Sequence, residues 1–175
     1  MQPTDTSLHP VPDALLYLAG RWQVLRTAQD LAGGMDGTFT GTTDFSDLPP
    51  HDDEGDEGGG GDGGTEVDKG AGGLSHHESG AFTWNGVTRP AERTLRYLQA
   101  SAAGTVRVEF AHGGFFHDLD LRTGHYVADH PCSLDMYRGE FTVLGPDRWR
   151  TVWRVAGPAK DLVLTTEYRR DRARR

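Results

Sequence analysis

Apolar and polar residues alternate along most of this chain, with the two-residue period of strands that turn one face toward a core. Segment 148–156 shows the pattern most clearly, because Trp149, Trp153 and Val155 alternate there with arginines. Glycine pairs such as Gly113-Gly114 separate the segments, as they do in short hairpins. The pattern predicts about ten strands, at 20–27, 36–45, 74–84, 94–100, 105–112, 115–121, 125–137, 139–144, 148–156 and 161–170.

A short helix is predicted before the first strand. Residues 14–18 are apolar, Asp13 in front of them is a suitable N-cap, and Gly20 behind them is a suitable C-terminal stop. No other segment has a clear 3.6-residue period, so the rest of the fold is expected to be strands and turns.

Short strands joined by tight turns predict an all-β meander, and closure into a barrel removes the free edges that would promote aggregation. The chain of 175 residues is long enough for one such domain. We therefore expect a single antiparallel up-and-down β-barrel of about eight to ten strands over residues 13–170, with the helix at its N-terminal end. A barrel of this size holds packed side chains or one small ligand.

The net charge of −8 is concentrated in one segment. Residues 51–69 contain eight acidic residues and a single lysine, so the remainder of the chain is nearly neutral. Residues 49–73 also contain ten glycines and no aromatic residue, a composition that buries too little apolar area to order itself. We expect a disordered acidic loop at 49–73. The arginine-rich tail 171–175 is expected to be solvated rather than to bind nucleic acid.

Several classes of protein are excluded by what the sequence lacks. No stretch approaches the roughly 20 apolar residues of a membrane helix. The first residues have neither the basic start nor the apolar run of a secretory signal, and Cys132 is the sole cysteine, so no internal disulfide forms. Phosphate-binding glycine loops and nucleophile elbows are also missing. These observations predict a cytoplasmic protein without a membrane partner.

The segment Gly20-Arg21-Trp22, directly after the predicted helix, resembles the Gly-x-Trp signature of the lipocalin and calycin superfamily. The resemblance implies that the helix plugs one end of the barrel and that Arg169 or Arg170 of the last strand packs over the tryptophan. A wider set of segments resembles the domain-of-unknown-function family numbered 6314, a calycin-like barrel family without an assigned activity. These segments are Gly20-Arg21-Trp22, Glu78-Ser79-Gly80, 116–120, 130–137 and 157–161, within a match of about residues 15–170.

Strand alternation also places polar side chains inside the predicted barrel. His117 shares its parity with Phe115, Leu119 and Leu121, and similar alignments point Glu78, Tyr97, Arg26, His130 and Cys132 inward. Buried polar groups need hydrogen-bonding partners, so these side chains either bond one another or contact a ligand. A bulge at Pro131 would invert the parity beyond it and turn Asp135 and Tyr137 inward instead.

The leading hypothesis for function is binding of a small, partly apolar organic molecule in the barrel interior. The side chains predicted to contact it are Arg26, Tyr97, His117, Cys132, Trp153 and Lys160. Each also has a structural interpretation: His117 as a hydrogen-bonded interior residue, Cys132 as a small hydrophobe, Trp153 as barrel wall and Lys160 as an exposed turn residue.

Two other functions stay open. One is a cofactor-independent isomerase, cyclase or hydrolase of a biosynthetic pathway, with His117 or His130 as general acid–base. Its partner would be Glu78, Asp135 or Tyr137, although Glu78 equally fits an ion pair with Arg26 or Arg96. The other is an interaction module with a filled barrel.

No cofactor is expected. Two alternatives remain: a metal ion held by His117, His130 and Cys132 from adjacent strands, and haem with His117 or His130 as axial ligand, by analogy with haem-binding calycins.

Overall fold

A computed structural model describes residues 7–48 and 72–172 of the chain. It contains one short helix and ten strands. In chain order these are α1 (Ala14–Leu18), β1 (Gly20–Asp30), β2 (Asp36–Leu48), β3 (Gly73–Trp84), β4 (Val87–Gln99), β5 (Val106–Phe110), β6 (Phe115–Leu119), β7 (His125–Cys132), β8 (Asp135–Gly145), β9 (Arg148–Gly157) and β10 (Lys160–Arg170).

The ten strands form one antiparallel sheet in the order β6-β5-β4-β3-β2-β1-β10-β9-β8-β7. The first and last strands of the chain pair along most of their length, from Trp22 opposite Arg170 to Asp30 opposite Leu162. The sheet curls until β6 and β7 come into contact, which nearly closes it. The predicted all-β, up-and-down barrel with a short N-terminal helix is therefore confirmed.

Consecutive strands run in opposite directions, so their connections alternate between the two ends of the barrel. Turns 31–35, 85–86, 111–114, 133–134 and 158–159 lie at one end, which we call the mouth. Helix α1 and residues 7–12 lie across the other, which we call the closed end. There the Val11 amide donates to the Leu121 carbonyl, and the Ala14 amide donates to the Gly104 carbonyl.

The closed end is built around Trp22, whose side chain has no exposed surface. Its indole nitrogen donates to the Leu18 carbonyl over 2.7 Å, which ties the first strand to the helix. Arg170 lies 4.1 Å above the Trp22 ring and donates to the carbonyls of Tyr17 and Ala19. Of the two arginines implied by the lipocalin resemblance, Arg170 is the one in place. Asp13 caps the helix by accepting from the Leu16 amide, as predicted.

Two strands differ most from the sequence prediction. Segment 125–137 is two strands, because Ser133 adopts a left-handed backbone with φ of 56° and turns the chain into a hairpin. Strand β4 begins at Val87 instead of residue 94, and it includes Pro90. Proline is tolerated there because β5 pairs with β4 only from Leu95 onward, which leaves the edge beside Pro90 without a ladder.

The segment predicted as a disordered loop, 49–73, lies outside the described residues except for its last two. Gly73 belongs to β3 and pairs with Leu48 of β2 and Leu98 of β4. In the predicted tail 171–175, only Asp171 and Arg172 are described, and Arg172 forms an ion pair with Asp147. No helix among the described residues is long and apolar enough to cross a membrane.

Candidate functional site

A cavity of about 230 Å³ opens in the mouth half of the barrel, between strands β1 to β4. The apolar part of its wall comes from Phe39, Phe82 and Ala91, which the alternation of β2, β3 and β4 turns inward. Three charged side chains, Arg26, Glu78 and Arg93, and the rim residue Glu92 complete the lining. The result is a small pocket in which apolar side chains form one part of the wall and charged side chains form the base.

The base of the cavity is an ion pair between Arg26 and Glu78. Two guanidinium nitrogens of Arg26 donate to the two carboxylate oxygens of Glu78, each over 2.9 Å. A third donates to the Thr166 hydroxyl over 2.8 Å, and the Thr43 hydroxyl donates to Glu78 Oε2 over 3.4 Å. Of the two partners expected for Glu78, Arg26 is confirmed, whereas Arg96 pairs with Glu109.

This pair stays ionised although it is buried. Burial would raise the pKa of Glu78, but the hydrogen bonds from Arg26 and the charge of Arg93 outweigh burial and lower it. Burial would likewise lower the pKa of Arg26, but Tyr168 and the Glu78 carboxylate outweigh burial and raise it. Because each charge stabilises the other, removing one would leave the other buried and unpaired.

Arg93 lies on the cavity wall with looser contacts than Arg26. Its guanidinium is 3.6 Å from Glu78 Oε1, within range of an ion pair but beyond a normal hydrogen bond. Its side chain is 45% exposed, compared with 14% for Arg26. Arg93 was missed from the sequence because the predicted strand began at residue 94, although the parity of Leu95 and Tyr97, continued backward, points Arg93 and Ala91 inward.

Below the Arg26–Glu78 pair, toward the closed end, the interior holds more buried polar groups. His76 is 1% exposed, packs edge-on against Phe45 and lies 5.6 Å, ring to ring, from Tyr97. Burial lowers the pKa of His76 to about 3, with a further contribution from Arg93, so the ring is neutral. Its Nδ1 has no hydrogen-bond partner among the described residues. Burial raises the pKa of Tyr97 and of Tyr168, which remain protonated.

The opposite wall of the interior is aromatic. His117 is 2% exposed and packs against the rings of Phe116, Phe141 and Trp153 at centroid distances of 4.7, 5.3 and 5.4 Å. Its Nδ1 lies 2.7 Å from the Asp118 carbonyl oxygen, so this nitrogen carries the proton. Burial lowers the pKa of His117 to about 4, which keeps the ring neutral near pH 7.

The parity argument for β6 needs one correction. The pairing of β5 and β6 shifts between Val108 and Glu109, so that Phe116 is the extra residue of a bulge. Phe116 consequently packs in the interior, 5.3 Å from Trp153, while Phe115 lies over Arg107 instead of sharing the face of His117. His117 itself is interior, as expected.

At the rim, the hairpin at Ser133 inverts the expected parity of Leu134 and Met136, which are exposed. Tyr137 pairs with His130 across the hairpin and shares its face, with ring centroids 6.1 Å apart. Asp135 accepts from the Lys160 ammonium over 2.9 Å, and Cys132 is exposed. A bulge at Pro131 was expected to exchange the inward and outward residues beyond it. The exchange occurs, but the turn at Ser133 causes it.

The predicted site residues therefore fall into four places. Arg26 and Glu78 form the cavity base, His117 and Trp153 belong to the aromatic wall, and the remaining residues of the mouth rim are His130, Cys132, Asp135, Tyr137 and Lys160. Tyr97 lies in the buried layer below the cavity. The structure does not bring the proposed acid–base residues into hydrogen-bond contact with one another: Glu78 is held by Arg26, Asp135 by Lys160 and His117 by a backbone carbonyl.

The two cofactor alternatives find little support. Within residues 7–48 and 72–172, no three His, Cys, Asp or Glu side chains come together to hold a metal ion, so the set His117, His130 and Cys132 is wrong. Haem on His117 would need open space beside that ring, and the three packed aromatic rings occupy it.

The family model described as "Family of unknown function (DUF6314)" matches residues 18–170, which is most of the chain. The chain belongs to the DUF6314 family. The resemblance deduced from its motifs is thereby confirmed. No curated protein matches this member of the family.

Solved structures support the fold of this DUF6314 protein. It is similar to the S-type phycobiliprotein lyase CPES from Guillardia theta, with a TM-score of 0.66, 10% identity and coverage of 95% of both chains. At that identity the likeness shows the shared barrel fold alone. A further match, EF1p2_mFAP2b bound to DFHBI, has a TM-score of 0.40 and 14% identity over 91% of this chain and 98% of that one, too low a similarity to bear on the fold.

Proposed function

We propose that this DUF6314 protein binds a small, partly apolar organic molecule in the cavity between β1 and β4. The observation that carries the proposal is the cavity itself, which combines Phe39, Phe82 and Ala91 with the charged groups of Arg26, Glu78 and Arg93. Apolar walls supply binding energy through burial, while a few polar groups fix the orientation of the ligand. The similarity to a phycobiliprotein lyase bears on the fold alone. The ligand is therefore inferred from this chain's own residues.

Binding is better supported than catalysis. A general base needs a pKa near the working pH. The pKa of Glu78 is lowered by its hydrogen bonds from Arg26 and by Arg93, and Asp135 is held by Lys160. His117 has a pKa lowered to about 4 and faces three aromatic rings. The cavity is equipped to hold a molecule, and its buried carboxylate, Glu78, is already engaged by Arg26.

The proposal is tested by filling the cavity with a larger side chain at one of its lining residues. Ala91→Phe on β4 places a ring in the apolar part of the pocket, while Thr94→Phe adds the same ring on the outer face of the same strand, where Thr94 contacts His77. Native mass spectrometry is run on the purified wild type and both variants, before and after incubation with a mixture of small aromatic acids, amides and alcohols.

We expect wild type and Thr94→Phe to carry the same bound masses and Ala91→Phe to lose them, with circular dichroism unchanged in all three. Equal adducts on all three proteins would place the binding elsewhere. The absence of any adduct on the wild type would contradict the proposal.

A further inference from the structure

The cavity lining contains two arginines and two glutamates, but only one of the glutamates lies on the same face of the sheet as the arginines. Arg26 and Arg93 both face Glu78, so two cations share one buried carboxylate. The other acidic residue of the lining, Glu92, belongs to the opposite face of β4: its register partner is Ser79, whereas Arg93 pairs with Glu78. No ion pair within 4 Å joins Glu92 to Arg93 in the described part of the chain. The inner surface of the cavity therefore carries one excess positive charge.

The excess charge belongs to Arg93, because Arg26 and Thr43 donate to Glu78 whereas Arg93 lies beyond hydrogen-bond distance of it. Glu78 Oε1 and Oε2 each accept from Arg26 over 2.9 Å, and Oε2 also accepts from Thr43. Arg93 is left at 3.6 Å, and no hydrogen bond to a described residue engages its guanidinium. A guanidinium offers five N–H donors in a planar fork that matches a carboxylate.

Arg93 is also placed where a ligand would reach it. It lines the same cavity as Phe39, Phe82 and Ala91, and 45% of its side chain is exposed. A molecule seated between these apolar side chains would present its polar end to the guanidinium. Beneath it, Arg26 holds Glu78 in place. Arg26 cannot turn its N–H donors toward a ligand without leaving the buried Glu78 carboxylate without them.

We infer that the ligand is a small aromatic or cyclic carboxylate, whose ring lies against Phe39, Phe82 and Ala91 and whose carboxylate is bound by Arg93. This inference rests on the proposed function and names the chemical class of its ligand. It excludes uncharged aromatic compounds as the preferred ligands of the cavity.

The test uses two probes that differ only in charge, 2-naphthoate and 2-naphthamide. Their dissociation constants are measured by isothermal titration calorimetry on the full-length protein. Three variants are compared with wild type: Arg93→Gln, Arg93→Lys and Arg89→Gln. Arg89 lies on the same strand, is exposed and does not line the cavity, so it controls for loss of a surface charge.

Wild type and Arg89→Gln should bind naphthoate about tenfold more tightly than naphthamide, as expected for a charge-assisted hydrogen-bonded pair. Arg93→Gln should abolish that preference by weakening the binding of naphthoate about tenfold more than the binding of naphthamide. Arg93→Lys should keep part of the preference, since it keeps the charge but not the fork. Melting temperatures of all variants should match wild type, because Arg93 is partly exposed and makes no hydrogen bond to the described residues.

Equal affinity of wild type for both probes, or a preference that survives Arg93→Gln, would overturn the carboxylate inference while the cavity remains a binding site. Binding of neither probe would overturn both this inference and the proposed function.

Discussion

The two ends of the barrel contain similar residues but differ in how deeply those residues are buried. Each end has tryptophans, but Trp22 at the closed end is fully buried, hydrogen-bonded to Leu18 and covered by Arg170. Trp84 at the mouth is only half-buried and stacks on one neighbour, Phe82. The tryptophan at the closed end therefore has no accessible surface, whereas the tryptophan at the mouth has part of its ring exposed.

The turns show the same difference. Charged residues make up 25% of the chain, yet none occurs in the mouth turns 31–35, 85–86, 111–114, 133–134 and 158–159. Large apolar side chains are exposed there, among them Leu31, Met35 and Leu134. More of the exposed large apolar side chains lie at the mouth than at the closed end, where Leu8 and Leu16 are exposed.

Matched tryptophan truncations give the largest expected contrast. Trp22→Ala should destabilise the protein by about 3–5 kcal/mol, because it empties the closed end and removes the indole hydrogen bond to Leu18. Trp84→Ala should cost about 1 kcal/mol, because the side chain is only half-buried. Urea unfolding of both variants measures the difference. Equal losses would show that the two ends contribute alike, and a loss below about 1 kcal/mol for Trp22 would refute the Gly-x-Trp assignment.

Glu78→Gln tests the buried ion pair that separates the two regions. Without the carboxylate charge, Arg26 stays buried with only neutral partners, and we expect a loss of about 3 kcal/mol in unfolding free energy. Glu140→Gln, which breaks an exposed pair with His125, is the matched control and should change stability by less than about 0.5 kcal/mol. A loss at Glu78 no greater than that at Glu140 would mean that Arg26 finds another counter-charge.

The sequence predicted the closed end far better than the mouth. The helix cap and Gly20-Arg21-Trp22 are local signals, and both were confirmed. The mouth depends on features that alternation does not encode: a bulge that adds Phe116, a left-handed Ser133, and an unpaired edge that lets β4 continue through Pro90. Of the three, the early start of β4 is the one that kept Arg93 out of the expected site residues.

Acid should weaken the fold through its buried histidines. The pKa values of His117, about 4, and His76, about 3, both lie below the unfolded value of 6.5. The unfolded chain therefore binds more protons in this range, so stability falls as the pH drops from about 6.5 toward 4. Replacing His117 with Phe should recover about 1–2 kcal/mol of that loss while changing stability at pH 7 by less than about 1 kcal/mol.

His117→Gln is the control for packing in this experiment. It also removes the titrating ring, so it should flatten the pH dependence as much as Phe does, measured by urea unfolding at pH 4.5, 5.5 and 6.5. A wild-type slope retained in both variants would show that the pKa of His117 in the folded protein is not lowered.

Deletion of the acidic segment should have the smallest effect. Leu48 and Gly73 are paired neighbours at the ends of β2 and β3, so residues 49–71 can be replaced by a short glycine turn. Loop length changes stability slowly, and we expect less than about 1 kcal/mol of change in thermal unfolding. A collapse of the β-type circular dichroism spectrum would show that the segment contributes to the fold.

The central claim is that the mouth half of the barrel binds a small molecule and the closed end does not. Amide chemical-shift mapping of the ¹⁵N-labelled protein, titrated with 2-naphthoate, tests this most directly. We predict saturable shifts concentrated at Phe39, Phe82, Ala91 and Arg93, with Leu18, Trp22 and Trp149 unchanged. Shifts centred on the closed end or the outer face of the sheet, or no saturable shifts at all, would contradict the account.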